Sequence, residues 1–310
     1  MLQAIEIVIT IGIIISVGYF LAAKGFLDEK AASFMSKLII LFGVPCASIG
    51  NMTANFTRES IPEILRGALI MLIAILLMYL MAFLVSKLFK VEKGRKGILI
   101  AMMAGANTMF IGYPVCQAIF GNDAGYAFVY DLAHSFLFWS LGVYVISSDR
   151  ANSEGFNLKS LKKLFSPGFI SIIVAVILIA LNIKLPGFLS RAVTYFGSLC
   201  TPLAVLYAGY VLHKIGFRNL RVSRDMLLVL LGRCIIAPVI VFALCMLFRF
   251  EPVVTKIFVM MSAMPVMNNI PIVGEEYGSD YKFATQCLLA SIFVCLILMP
   301  VWMLIFEAIF

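Results

Sequence analysis

Apolar runs about as long as a bilayer is thick dominate this chain, and they restrict its fold more than any other feature. A segment in hydrocarbon has no water to bond its backbone. It must satisfy its N–H and C=O groups internally, as an α-helix of about 20 apolar residues does. Ten such runs follow one another, at 4–23, 33–51, 64–86, 97–120, 124–147, 167–184, 188–212, 225–248, 253–275 and 281–309. Hydrophobic residues make up 63% of the 310 and charged residues 13%, where a soluble domain has about 25% charged. The expected fold class is therefore an all-α integral membrane protein with ten transmembrane helices. The longest polar stretch, 147–166, is too short for a separate soluble domain. The first run begins almost at Met1 without a basic flank or a small-residue cleavage site, and reads as a retained helix.

Two of the runs are interrupted where the hydrocarbon centre should lie. The fourth carries Gly105-Ala-Asn-Thr-Met-Phe-Ile-Gly-Tyr-Pro114, and the ninth carries Ser262-Ala-Met-Pro-Val-Met-Asn-Asn-Ile-Pro271. Proline has no N–H, and its ring clashes with the carbonyl four residues earlier, so neither run should be one continuous helix. An offset of 157 takes Pro114 to Pro271, Pro45 to Pro202 and Gly121-Asn-Asp123 to Gly278-Ser-Asp280, although Pro62 meets Asn219. Broken spans at matching places in two halves are the sequence pointer to a secondary transporter built from repeats.

Charge placement gives the orientation. Of the 24 Lys and Arg, 17 fall in one set of alternate connections, including the 87–96 and 214–224 loops. The other set holds six (Arg58, Arg66, Lys184, Arg191, Arg249 and Lys256), and Arg233 lies inside a span. The positive-inside rule places the richer set in the cytoplasm and both termini on the non-cytoplasmic side of the cell (inner) membrane. The net charge of +8 is thus a matter of topology, and no nucleic-acid partner is implied. The offset shifts the chain by five spans, an odd number, so the halves 1–153 and 154–310 are expected to form an inverted repeat of five helices each.

The breaks carry the candidate site. Pro114 and Pro271 are expected to restart helices, and each restarted N-terminus presents free N–H groups and about +0.5 of a charge. If the fourth and ninth spans cross, two positive ends approach one point, which suits an anion. Asn107, Thr108, Asn268 and Asn269 stand beside the breaks; they can bond a carboxylate or the freed backbone groups. A pair of plain proline kinks is the bland alternative, and asparagines at both breaks weigh against it. Asp131 and His134, three apart on one helical face, are candidates for ion coupling or for a structural hydrogen-bonded pair. Arg233 could pair with Asp131 or attract substrate; snorkelling towards the cytoplasm is its expected role. The seven cysteines and the Met102-Met103 and Met260-Met261 pairs read as apolar packing. No catalytic motif, metal-ligand cluster or cofactor signature is seen, so no enzyme is expected.

Asn107-Thr108 with Gly112 and Pro114, then Pro265, Asn268-Asn269 and Glu276-Tyr277-Gly278-Ser-Asp280, resemble the two broken-helix motifs of the auxin efflux carrier family. The resemblance covers the whole chain. It implies a permease for mono- or dicarboxylates that works as an elevator. It also implies a scaffold from 1–51 and 167–213, a transport domain from 64–147 and 225–309, and a homodimer through the scaffold helices. The substrate would sit at the crossing, beside Asn107, Thr108, Gly112, Pro114, Pro265, Asn268, Asn269 and Pro271. Two departures stand out: Pro271 is an addition to the ninth-span motif, and the central loop is only about 20 residues, which makes auxin itself a poor assignment. A sodium-coupled symporter of the bile-acid type and a non-transporting protein that keeps the fold are the alternatives.

Overall fold

The computed structural model describes residues 2–149, 165–216 and 222–310. Every regular element among them is helical. In order these are α1 (Leu2–Ala23), α2 (Glu29–Asn55), α3 (Arg58–Leu88), α4 (Lys96–Ala104), α5 (Tyr113–Phe120) and α6 (Gly125–Leu137). Then come α7 (Pro167–Ala180), α8 (Gly187–Ile215), α9 (Arg224–Leu247), α10 (Pro252–Ser262), α11 (Asn269–Tyr277) and α12 (Tyr281–Ile309). Among the described residues, six continuous helical segments are long and apolar enough to cross a bilayer: α2, α3, Thr108–Ser147, α8, α9 and α12. On α3, Leu65, Leu69, Leu80, Leu84 and Leu88 are exposed, as apolar side chains facing lipid would be. The basic residues Arg150, Lys159, Lys162, Lys163, Arg218 and Arg221 lie outside the described residues, as does the expected repeat boundary at 153 and 154.

The chain divides into two compact units. One comprises Met1–Ala68, Met109–Leu132 and Phe165–Lys214; the other comprises Leu69–Thr108, Ala133–Leu164 and Ile215–Phe310. In the first unit, α1 and α8 cross with their backbones touching at Gly18 and Gly209. A Cβ on Gly18 would overlap the Leu206 carbonyl, and one on Gly209 would overlap Ile15 O and stand 2.6 Å from Tyr19 N. Small residues are the usual way for helices to pack in a membrane, where no hydrophobic force drives them together. Nearby, the buried hydroxyls of Ser48 on α2 and Ser171 on α7 share a 2.7 Å hydrogen bond.

A recurring device handles the prolines. Three π-helical turns, Ile39–Gly43, Thr108–Gly112 and Gly232–Ile236, are each followed two residues later by a proline: Pro45, Pro114 and Pro238. The proline cannot donate to the carbonyl four residues back and would collide with it. One extra residue in the preceding turn carries that carbonyl out of the ring's path, and the helix continues. Pro114 therefore does not begin a helix as the sequence suggested. Helical backbone resumes six residues earlier, at Thr108.

Candidate functional site

The second unit contains the meeting of the two broken runs. α4 stops at Ala104, and Gly105 is already extended at φ −88°, ψ 111°. α10 stops at Ser262, shortly before Pro265, which has no N–H to offer. The two extended stretches lie antiparallel. Asn107 N–H donates to Pro265 O at 2.8 Å and Met267 N–H donates to Gly105 O at 3.1 Å, so that Ala106 faces Val266. Their two remaining amides turn to side chains. Ala106 N–H donates to His134 Nε2 at 2.9 Å, and Val266 N–H donates to Ser291 Oγ at 3.0 Å. Buried backbone groups need such partners, because each one left unmade costs about 1–3 kcal/mol. Gly105 is confined by this crossing: a Cβ there would stand 2.8 Å from both Ala101 O and Ile270 Cδ1.

The bridge does not pair residues related by the offset of 157. An offset of 157 takes Ala106 to Ala263, whereas the residue bridged to Ala106 is Val266. The difference is taken up after the bridge. From Ala106 the chain makes the π turn Thr108–Gly112 before α5 opens at Tyr113, whereas from Val266 it enters α11 directly at Asn269. His134 and Ser291, the two side chains that hold the bridge amides, are themselves 157 apart.

Arg233 occupies the other side of the crossing. It lies in the π turn of α9 and is fully buried, so the expected snorkelling does not occur. Its guanidinium donates to Ala104 O at 2.6 Å, to Met103 O at 3.3 Å and to Ser262 O. Those carbonyls are the last of α4 and α10, where the four final C=O groups of a helix have no partner within it. Ala263 O, next in line, accepts from the Cys295 thiol at 3.1 Å. Each helix end carries about −0.5 of a charge. One guanidinium set against two such ends leaves them roughly neutral. Among the described residues of its own unit, no carboxylate forms an ion pair with Arg233. The partners are backbone carbonyls, which is why side-chain patterns in the sequence gave no hint of them.

The restarted helices face this arrangement with neutral amides. Asn107 and Thr108 are buried at the first break. Asn268 is the residue before α11 but does not cap it; its Oδ1 is buried and accepts no hydrogen bond among the described residues. A half-turn of the amide exchanges that oxygen for an NH2 donor. Asn269 makes no side-chain hydrogen bond to the described residues. Pro265 and Pro271 are both buried in the same unit, Pro271 as the third residue of α11. Gly112, Pro114 and Asp131 are also buried, but they belong to the first unit. His134 stands with the crossing, and accepting an amide proton means that Nε2 carries no proton of its own.

The far end of α4 is fixed by a polar cluster. The Asp149 carboxylate accepts from Gly97 N–H at 2.6 Å, from Ile98 N–H at 3.0 Å and from Ser279 Oγ at 2.8 Å. It caps a helix more than fifty residues away in sequence, satisfying two of its orphan N–H groups. Arg95, just before α4, bonds Asp280 at 2.7 and 2.9 Å and Asp225 at 3.2 Å, with Phe283 stacked against its guanidinium. Of these groups the sequence singles out Ser279 and Asp280, through the repeat and the broken-helix motif; the Asp149 cap and the bonds of Arg95 to Asp225 and Asp280 are not legible in it.

The bridge has a direct test in Ser291, which is fully buried. Ser291→Ala leaves Val266 N–H without an acceptor and should destabilise the protein by about 1–3 kcal/mol. Thermal unfolding of the purified variant in detergent reads this as a lowered midpoint; an unchanged midpoint contradicts the bond.

The chain belongs to the auxin efflux carrier family, and the model of that family, described as membrane transport protein, matches residues 3–303. An uncharacterized transporter of Methanocaldococcus jannaschii is 26% identical over 307 residues, which is 96% of this chain and 97% of the relative. An uncharacterized transporter of Methanothermobacter thermautotrophicus is 24% identical over 299 residues, 96% of each. The chain is accordingly a multi-pass membrane protein of a transporter family.

Proposed function

Taking that membership as the premise, we propose that the protein is a secondary active transporter of small organic anions, mono- or dicarboxylates, bound where the two broken helices cross. One observation carries the sign of the charge. A crossing of four half-helix ends would be neutral if all four were bare, with two negative and two positive. Arg233 compensates the two negative ends, so the positive ends at Thr108 and Asn269 stand unbalanced. Their N–H groups and the side chains of Asn107, Thr108, Asn268 and Asn269 then hold a carboxylate. Pro265 and Pro271 shape the backbone on one side, and Gly112 and Pro114 continue the helix on the other.

The mechanism we favour is alternating access by an elevator motion, within an architecture of ten spans in two inverted repeats. The shared offset of His134 and Ser291, each bonding the central amide of one break, supports the repeat. For His134 the bond to Ala106 favours a structural role. For Asp131, coupling to a proton remains part of the proposal.

The test is a thermal-shift screen of the purified protein against mono- and dicarboxylates, amino acids and organic cations. The expected result is a saturable rise of the unfolding midpoint with one or more carboxylates. Stabilisation by organic cations alone would defeat the reading. Substrate binding at 100 times Kd adds about 2.7 kcal/mol, a shift well within reach of the measurement.

A further inference from the structure

Broken-helix transporters commonly seat a coupling cation on unwound carbonyls and half-helix C-termini. The corresponding place in this chain is built from Met103 O, Ala104 O and Ser262 O, and a side chain fills it. We propose that this carbonyl cage is a monovalent-cation site occupied permanently by the chain's own Arg233, so that transport needs no sodium.

Three features support this. The occupant is fully buried and is supplied by a third helix, α9, through the π turn Gly232–Ile236. Its partners are all backbone carbonyls; among the described residues of its unit, no carboxylate competes for the charge. That is the ligand set of a hard cation and an unusual one for a buried arginine, which ordinarily takes a carboxylate. Finally, the guanidinium joins the ends of both broken runs, the task a bound ion would otherwise perform. A tethered charge cannot dissociate, so it holds the two ends together through every step of a transport cycle. The inference stands on the cage and is independent of the substrate.

The experiment is thermal unfolding in detergent, at equal ionic strength, in choline, potassium or sodium chloride, and with millimolar methylguanidinium. The wild-type midpoint should be the same in sodium and potassium. Arg233→Ala should lower it by roughly 5–10 °C in choline. Sodium or methylguanidinium, entering the vacated cage, should return at least half of that loss. Where Arg233→Ala does not fold, Arg233→Lys and Arg233→Gln decide. A site that requires charge makes the lysine variant the more stable of the two. Saturable stabilisation of the wild type by sodium over potassium overturns the proposal. So does an alanine variant that no small cation restores, and so does a glutamine variant as stable as the lysine one. Because no step uses a carboxylate ligand, failure here leaves the thermal-shift screen with carboxylates unaffected, and the converse also holds.

Discussion

Gly97→Ala is expected to be among the most damaging single-methyl changes the protein can suffer. A Cβ at this position would overlap the Val145 carbonyl oxygen, stand 2.7 Å from the Val145 carbonyl carbon and lie 3.1 Å from Asp149 Cγ. Both Val145 atoms are backbone, so no rotamer change relieves the contact. The helix would have to shift as a body. Overpacking of this kind costs about 1–3 kcal/mol. The shift also pulls Gly97 N–H and Ile98 N–H from the Asp149 carboxylate, and losing a cap adds about 0.5–2 kcal/mol. Together the loss is about 1.5–5 kcal/mol. Asp149→Ala, which removes the cap and the Ser279 bond but introduces no overlap, should cost less. Thermal unfolding of the two purified variants measures the order; Gly97→Ala as stable as wild type would mean that α4 does not start against Val145.

The fate of that helix shows what could and could not be read from the chain. The apolar runs and their interruptions were legible, because hydrocarbon allows only helices and proline and glycine mark where they fail. Asn107, Thr108, Pro265, Asn268 and Asn269 stand within three residues of the bridge. The restart point was misplaced for a specific reason. Residue type alone puts proline at the first position of a new helix, whereas a π turn lets Thr108–Gly112 remain helical ahead of Pro114. Arg233 was noticed as a buried charge but given the wrong surroundings. Side-chain pairing rules point an arginine to a carboxylate or to the interface, and they are silent about carbonyls at helix ends. The Asp149 cap on α4 was equally out of reach, since it joins residues that only the tertiary fold brings together.

The central claim is that an anion binds at the crossing, and its contacts predict the second large effect. A hydrogen bond to a charged group is worth about 1.5–3 kcal/mol. Asn107 is buried at the first break; among the described residues, Asn268 presents an amide end without a partner at the second, and Asn269 makes no side-chain bond. Truncating Asn268 or Asn269 should therefore remove ligand contacts more than fold stability, and folded Asn107→Ala protein tests the first break. Gly12→Ala serves as a control, because a Cβ there meets nothing within 4 Å. The decisive measurement is equilibrium binding of the most stabilising carboxylate to folded Asn107→Ala, Asn268→Ala, Asn269→Ala and Gly12→Ala proteins in detergent. At least one asparagine variant at each break should bind ~10- to 150-fold more weakly than wild type, and Gly12→Ala should be unchanged. Wild-type affinity in all three asparagine variants would contradict the assignment of the site.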